Sequence, residues 1–241
     1  MTKAFLLFVA FLISLHLNGQ EIEGLKNVAV KWAPTGLILG SLSFQGEYNK
    51  GKHSYTAKIG LPVNSHHSFD FDDKDAAFDL KATSFQGGYR IYLSKNIMKG
   101  LYLEPFLKYV KLNSTGTGEG TLDNDPVLFN FTNTYEGLGA GVQLGAQFMV
   151  SERFLIDLFF LGPELNVSNS HLKAVEASNT IPWTTVQAAD AEAQIRSFIN
   201  QFPFIKNNTD ITVDKERKTV LADFKGLLPG IRAGVSFGIR F

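Results

Sequence analysis

Over much of this chain, apolar side chains recur at every second position. The clearest run closes the sequence: Ile231, Ala233, Val235, Phe237, Ile239 and Phe241 alternate with Arg232, Gly234, Ser236, Gly238 and Arg240. Successive side chains of a strand point to opposite faces, so one face of this segment is wholly apolar and the other small or charged. The pattern repeats. Leu138, Ala140, Val142, Leu144, Ala146 and Phe148 alternate with Gly139, Gly141, Gln143, Gly145 and Gln147. Tyr55 to Leu61, Phe85 to Leu93 and Phe154 to Phe160 behave alike. Together these segments predict eight strands, over about 26–34, 36–49, 52–63, 81–93, 100–112, 134–150, 153–166 and 229–241.

A large apolar face opposite a small polar one suits a lipid-facing wall around a narrow interior. The connections agree. Residues 49–51, 94–99 and 151–152 are short links, whereas 64–80, 113–133 and 167–228 are long, and the two kinds alternate apart from a tight first hairpin near Pro34–Gly36. Outer-membrane barrels have short periplasmic turns and long external loops. Unpaired edge amides are costly in lipid, so only a closed sheet is tolerable there. The expected fold is all-β: an eight-stranded antiparallel up-and-down transmembrane β-barrel over residues 21–241, with one long external loop, 167–228, containing a helix.

Residues 1–20 strengthen this picture. Lys3 precedes an apolar run from Ala4 to Leu15, followed by Asn18, Gly19 and Gln20. The run is shorter than the roughly twenty residues a transmembrane helix needs and fits a cleaved export signal. Composition removes other classes. Lys and Arg number 23 against 23 Asp and Glu, and no basic block stands out, so a nucleic-acid partner is not expected. The absence of cysteine excludes disulfides, thiolate metal sites and a lipoprotein anchor. No metal or cofactor is expected.

Asn27–Tyr48, Gly88–Val110, Gly137–Phe160 and Leu228–Phe241 resemble a family of small Gram-negative outer-membrane barrels known as a domain of unknown function, OmpA- or OmpX-like in architecture. The resemblance implies location in the cell outer membrane, contact with outer-membrane lipid and lipopolysaccharide, and recognition of the terminal Phe241 by the barrel assembly machinery. It brings no catalytic residues.

In the predicted register, Lys31, Lys58, Arg90, Lys108, Arg232 and Arg240 point inward together with Glu47, Glu104 and Asp157. Buried charges must pair or find water, so an internal ion-pair network is expected. Eight strands leave an interior that side chains nearly fill, which favours a plugged barrel over a narrow, mildly anion-selective channel. In the long loop, Thr184–Asn200 predicts a helix capped by Thr184 or Thr185 and ended before Pro203, serving as a lid or as a site for an external partner. Asp210–Lys225 predicts an external hairpin.

Three patterns carry candidate chemistry. His66 lies two residues from Ser68, as a base and nucleophile of a lipid-modifying enzyme would on one strand face, but no partner acid accompanies them. Asp70, Asp72, Asp73 and Asp75 crowd the same loop without the glycine and glutamate of a calcium-binding loop. Gly137, Gly139 and Gly141 alternate but precede no helix, so they relieve crowding rather than bind a nucleotide. Trp32, Tyr48, Tyr89, Tyr92, Tyr102 and Tyr109 fall near strand ends, as interface aromatics do. The expected role is structural or interactive through external loops, not enzymatic.

Overall fold

The structure, a computed structural model, describes residues 27–71, 74–94, 98–123, 125–177 and 181–241, with the backbone alone over 69–71 and 74–76. The expected export signal and two of the four clustered aspartates, Asp72 and Asp73, lie outside these residues.

The described chain forms one antiparallel sheet of ten strands. They are β1 (Val28–Ala33), β2 (Ser41–Lys50), β3 (His53–Pro62), β4 (Ser65–Phe71), β5 (Lys74–Tyr92), β6 (Gly100–Leu122), β7 (Asp125–Met149), β8 (Phe154–Glu176), β9 (Thr209–Asp214) and β10 (Thr219–Arg240). One helix, α1 (Thr185–Asn200), precedes β9. Pairing runs β1-β2-β3-β5-β6-β7-β8-β10, and β10 returns to β1 with Arg240 opposite Ala29 and Phe237 opposite Trp32. The sheet is therefore a closed ring, on which β4 hangs from β5 and β9 from β10.

Closure is staggered. A path of directly opposed residues starts at Lys31 and passes Gln45, Lys58, Gln86, Lys108, Gly139 and Asn166. It arrives on β10 at Leu228, whereas the residue closing on Lys31 is Gly238, ten positions further along. Register shifts opposite Leu144/Gly145 and Arg232/Gly234 both mark one bulge in β8, between Phe159 and Gly162.

The wall is uneven in height. β1 has 6 residues and β2 and β3 have 10 each, whereas β6 has 23 and β7 has 25. Three expectations are corrected by these lengths. Residues 113–133 are not a loop: Asn113 to Leu122 pair with Thr134 to Asp125 and extend β6 and β7. Residues 64–80 form β4 and the start of β5, and residues 167–176 extend β8. Asn113 to Gly120 has no apolar residue on either face, so pairing continues there without a side-chain signal, whereas Val127, Phe129 and Phe131 do alternate and pack toward Trp183. The first connection is not a tight hairpin but a 3-10 turn over Pro34–Leu39, with proline at its start. Gly40 ends it at φ +71, and its carbonyl accepts the Val63 and Ala82 amides, both at 2.9 Å. A side chain there would sit 2.8 Å from the Val63 carbonyl, so glycine is required.

At the tall end, Trp183 and Ala191 pack against Leu122, Val127, Ala174 and Val220. The β6, β7 and β10 members of this cluster share the strand face that points into the ring lower down, so α1 lies over the inward side of the extended sheet. A capping box starts the helix: Gln187 N donates to Thr184 Oγ1 at 3.1 Å, and Thr184 N to Gln187 Oε1 at 3.0 Å. The hairpin expected over Asp210–Lys225 corresponds to β9 and the start of β10, with Val213 opposite Val220.

Candidate functional site: the charged interior of the ring

Alternation sends one residue in two of each strand into the ring, and the inward set is polar. At the end carrying Val28 and Phe241, Lys31 from β1, Glu47 from β2, Arg90 from β5, Glu104 from β6 and Asp157 from β8 are each at most 2% exposed. Lys31 Nζ lies 2.5 Å from Glu47 Oε2 and 2.6 Å from Asp157 Oδ2. Arg90 bridges three carboxylates, with Nη1 at 2.9 Å from Asp157 and 3.3 Å from Glu47, and Nη2 at 2.7 Å from Glu104. Neutral groups complete the layer. Tyr92 donates to Glu47 at 2.7 Å, Tyr102 to Asp157 at 2.6 Å and Thr56 to Glu104 at 2.6 Å. The Gln147 carbonyl oxygen accepts from Lys31 and Arg90, while its amide donates to the Met98 carbonyl at 2.9 Å. The Arg90 guanidinium also stacks 3.6 Å from the Tyr102 ring centre.

Two cations against three carboxylates, cross-linked by hydroxyls and an amide, make a self-satisfied plug. Desolvating so many charges is expensive, and the pairing repays it only because nearly every oxygen is bonded. The network specifies how the strands sit around the interior; the apolar outward faces do not.

A second layer lies above the first. Lys108 Nζ meets Glu164 Oε1 at 2.5 Å. Arg232 donates to Gln86 and lies over the rings of Phe106 and Phe159, and Lys58 lies over Phe159. Arg240 stands apart at the terminal end of the ring, where its Nη2 donates to the Glu152 carbonyl at 3.1 Å in an exposed position. Glycines make room for these long side chains. A side chain at Gly162 would lie 2.5 Å from Arg232 Cγ, and one at Gly145 would lie 2.6 Å from the Leu158 carbonyl and overlap the Tyr102 ring. The alternating glycines of β7 therefore serve close packing.

The outward face is apolar, then stops. Phe85, Tyr109, Leu138, Val167 and Leu227 are directly opposed in turn across β5, β6, β7, β8 and β10, and are 40–63% exposed. Two residues further along each strand, the corresponding row is Thr83, Lys111, Glu136, Asn169 and Lys225. Lys111 and Glu136 pair at 2.6 Å, and this hydrogen-bonded carboxylate holds the Lys111 ammonium above its ordinary pKa.

The other sequence candidates stay separate from the interior. His66 Nδ1 is 3.0 Å from Asp79 Oδ1, and both are exposed; no described hydrogen bond joins His66 to Ser68. His67 instead meets Ser65 and the Ile38 carbonyl. Asp70 and Asp75 are opposed across the β4–β5 hairpin. No metal-binding cluster occurs among the described residues. Of the aromatics, Tyr48, Tyr55, Tyr89 and Tyr109 face out, whereas Tyr92 and Tyr102 are core. Phe241 donates its amide to the Val28 carbonyl at 2.9 Å, beside the seam.

Sequence reasoning missed Tyr92, Tyr102, Gln147 and Glu164 as members of the interior. Tyr92 and Tyr102 share the inward parity of Arg90 and Glu104, a signal that was there to be used. Glu164 carried no such signal, because the irregularity near Leu161 reverses parity between Asp157 and Glu164. Comparison with known proteins finds no match for this chain, whether among protein families, curated proteins or solved structures.

Proposed function

We propose that this chain is an eight-stranded transmembrane β-barrel of a bacterial outer membrane, closed by its own interior, that holds an extended, helix-covered sheet outside the bilayer as a structural or partner-binding surface. The observation that carries this reading is the abrupt end of the apolar outward face, along one row of opposed residues on five neighbouring strands. A soluble barrel has no reason to expose such a band, whereas lipid demands it.

Closure geometry supports the same reading. With eight strands in the ring, a stagger of ten residues, about 3.3 Å per residue and about 4.8 Å between strands, the strands tilt by about 40°, inside the range of closed barrels. Among the described residues no helix is long and apolar enough to cross a membrane; in this proposal the strands make the crossing. The Arg90 network fills the interior where a channel would need a bore. Polar strand extensions, α1 and the β4 and β9 hairpins then stand on the side away from Val28 and Phe241.

The test is export in a Gram-negative host, membrane fractionation, and gel mobility of unheated against boiled samples. Outer-membrane recovery with heat-dependent mobility is the expected result. A soluble protein with unchanged mobility would sink the proposal.

A further inference from the structure

Three cations but only one carboxylate line the upper interior. Glu164 is engaged by Lys108. Lys58 and Arg232 form no ion pair among the described residues. They share the Phe159 ring instead, at 5.4 Å and 5.2 Å from its centre, and Arg232 adds Phe106 at 4.7 Å and the Gln86 amide oxygen. Ring faces attract cations without neutralising them, and two like charges on one ring repel. Lys58 and Arg232 are half-buried. Asp157 and Glu104 of the lower layer act on Lys58 only from beyond ion-pair distance, so among the described residues this layer lacks a direct anionic partner for them.

The wall is interrupted at the same level. β1 pairs with β10 only as far as Trp32 opposite Phe237, and β9 takes over only from Thr209 opposite Phe224. Among the described residues no strand runs along that edge of β10 between Lys225 and Ser236, although the Lys225 amide bonds the Asn208 carbonyl at 3.1 Å. Arg232 lies within this open stretch. Gly226, Gly230 and Gly234 carry no side chain here, Leu228 and Arg232 point inward between them, and the β1–β2 turn comes close at Thr35 beside Gly234. Pro229 has no amide hydrogen to satisfy. Outside, Leu227 is 53% and Ile231 73% exposed.

We infer that the upper interior binds the phosphate of an anionic lipid headgroup, which reaches Lys58, Lys108 and Arg232 sideways through the gap between β10 and the β1–β2 turn. The phosphate oxygens accept from the Arg232 fork and the Lys58 ammonium, both charge-assisted bonds. The acyl chains stay in the bilayer along Leu227 and Ile231. Delivery from lipid rests on the membrane reading above; the surplus of cations does not.

The experiment uses the full mature chain folded in alkyl maltoside micelles, with phosphatidylglycerol, phosphatidylcholine or inorganic phosphate added, and native mass spectrometry of retained ligand. Phosphatidylglycerol should be retained at least about tenfold over phosphatidylcholine, and a K58Q/R232Q variant should lose about tenfold of it, the scale of one charge-assisted bond. Equal retention of the two lipids, or undiminished retention by the variant, overturns the inference. So does binding of inorganic phosphate with no retained lipid, because the anion then comes from solution. Should the variant fail to fold, the wild-type chain decides: phosphatidylglycerol must raise the temperature of its mobility shift above that in phosphatidylcholine, and no rise overturns the inference. A folded, heat-shifted protein that retains no lipid counts against this site alone, whereas a chain without a heat shift counts against the barrel.

Discussion

Lys31 and Asp157, 126 positions apart in the chain, meet at 2.6 Å inside the ring. The contact joins β1 to β8, which are not neighbours in the sheet, so it spans the interior rather than the wall. Removing one partner strands a charge where water does not reach. Asp157→Asn should therefore destabilise the fold by about 3–5 kcal/mol, as breaking buried pairs does. Urea titration followed by the unboiled gel band measures this. A paired Lys31→Met, Asp157→Leu replacement should cost less than the two single changes added together.

Glycine positions separate inward from outward faces sharply. Gly145→Ala places a side chain on the Tyr102 ring and the Leu158 carbonyl, whereas Gly46→Ala meets nothing within 4 Å. Gly145→Ala should abolish the compact gel species and Gly46→Ala should leave it intact. Equal behaviour of the two variants would contradict the packed interior.

The apolar band can be mapped with single charges. Leu138→Lys falls inside the band and should cost up to about 2–4 kcal/mol in a bilayer, with the largest effect at mid-membrane depth. Thr132→Lys lies on the same strand face beyond the polar row and should change stability by less than about 0.5 kcal/mol. Folding yields into lipid vesicles distinguish them. A similar loss at both positions would mean that the row is no membrane boundary.

Helix α1 rests on its capping box and on Trp183, whose indole N–H donates to Glu176. Thr184→Ala should weaken docking of the helix by about 1 kcal/mol. Faster proteolytic nicking within 185–208, with the heat-shifted band unchanged, is the expected signature. Collapse of the band together with nicking would mean that the cap supports the ring itself.

The ring was legible where side chains alternate. Ile231 to Phe241 and Leu138 to Phe148 announce their faces because apolar and small residues take strict turns, and Lys31, Glu47, Arg90, Glu104 and Asp157 follow from parity alone. The extensions were not legible. Asn113 to Gly120 is serine, threonine, glycine and glutamate on both faces, and nothing in that order distinguishes a solvated strand from a loop. Bulges hid the rest. One irregular residue near Leu161 turns Glu164 inward, and no pattern rule anticipates it. The unpaired stretch of β10 depends on β1 having only 6 residues, which is a property of the pairing and not of either segment.

The last amide of the chain, that of Phe241, bonds the carbonyl of Val28 in the first strand. The seam therefore joins strands about two hundred residues apart, through four opposed pairs from Ala29–Arg240 to Trp32–Phe237. Contacts of such long range slow folding, because the intervening chain must be ordered before they reward it. Cutting the chain before Phe237 would leave β1 without this partner, an open edge of the kind that recruits other strands.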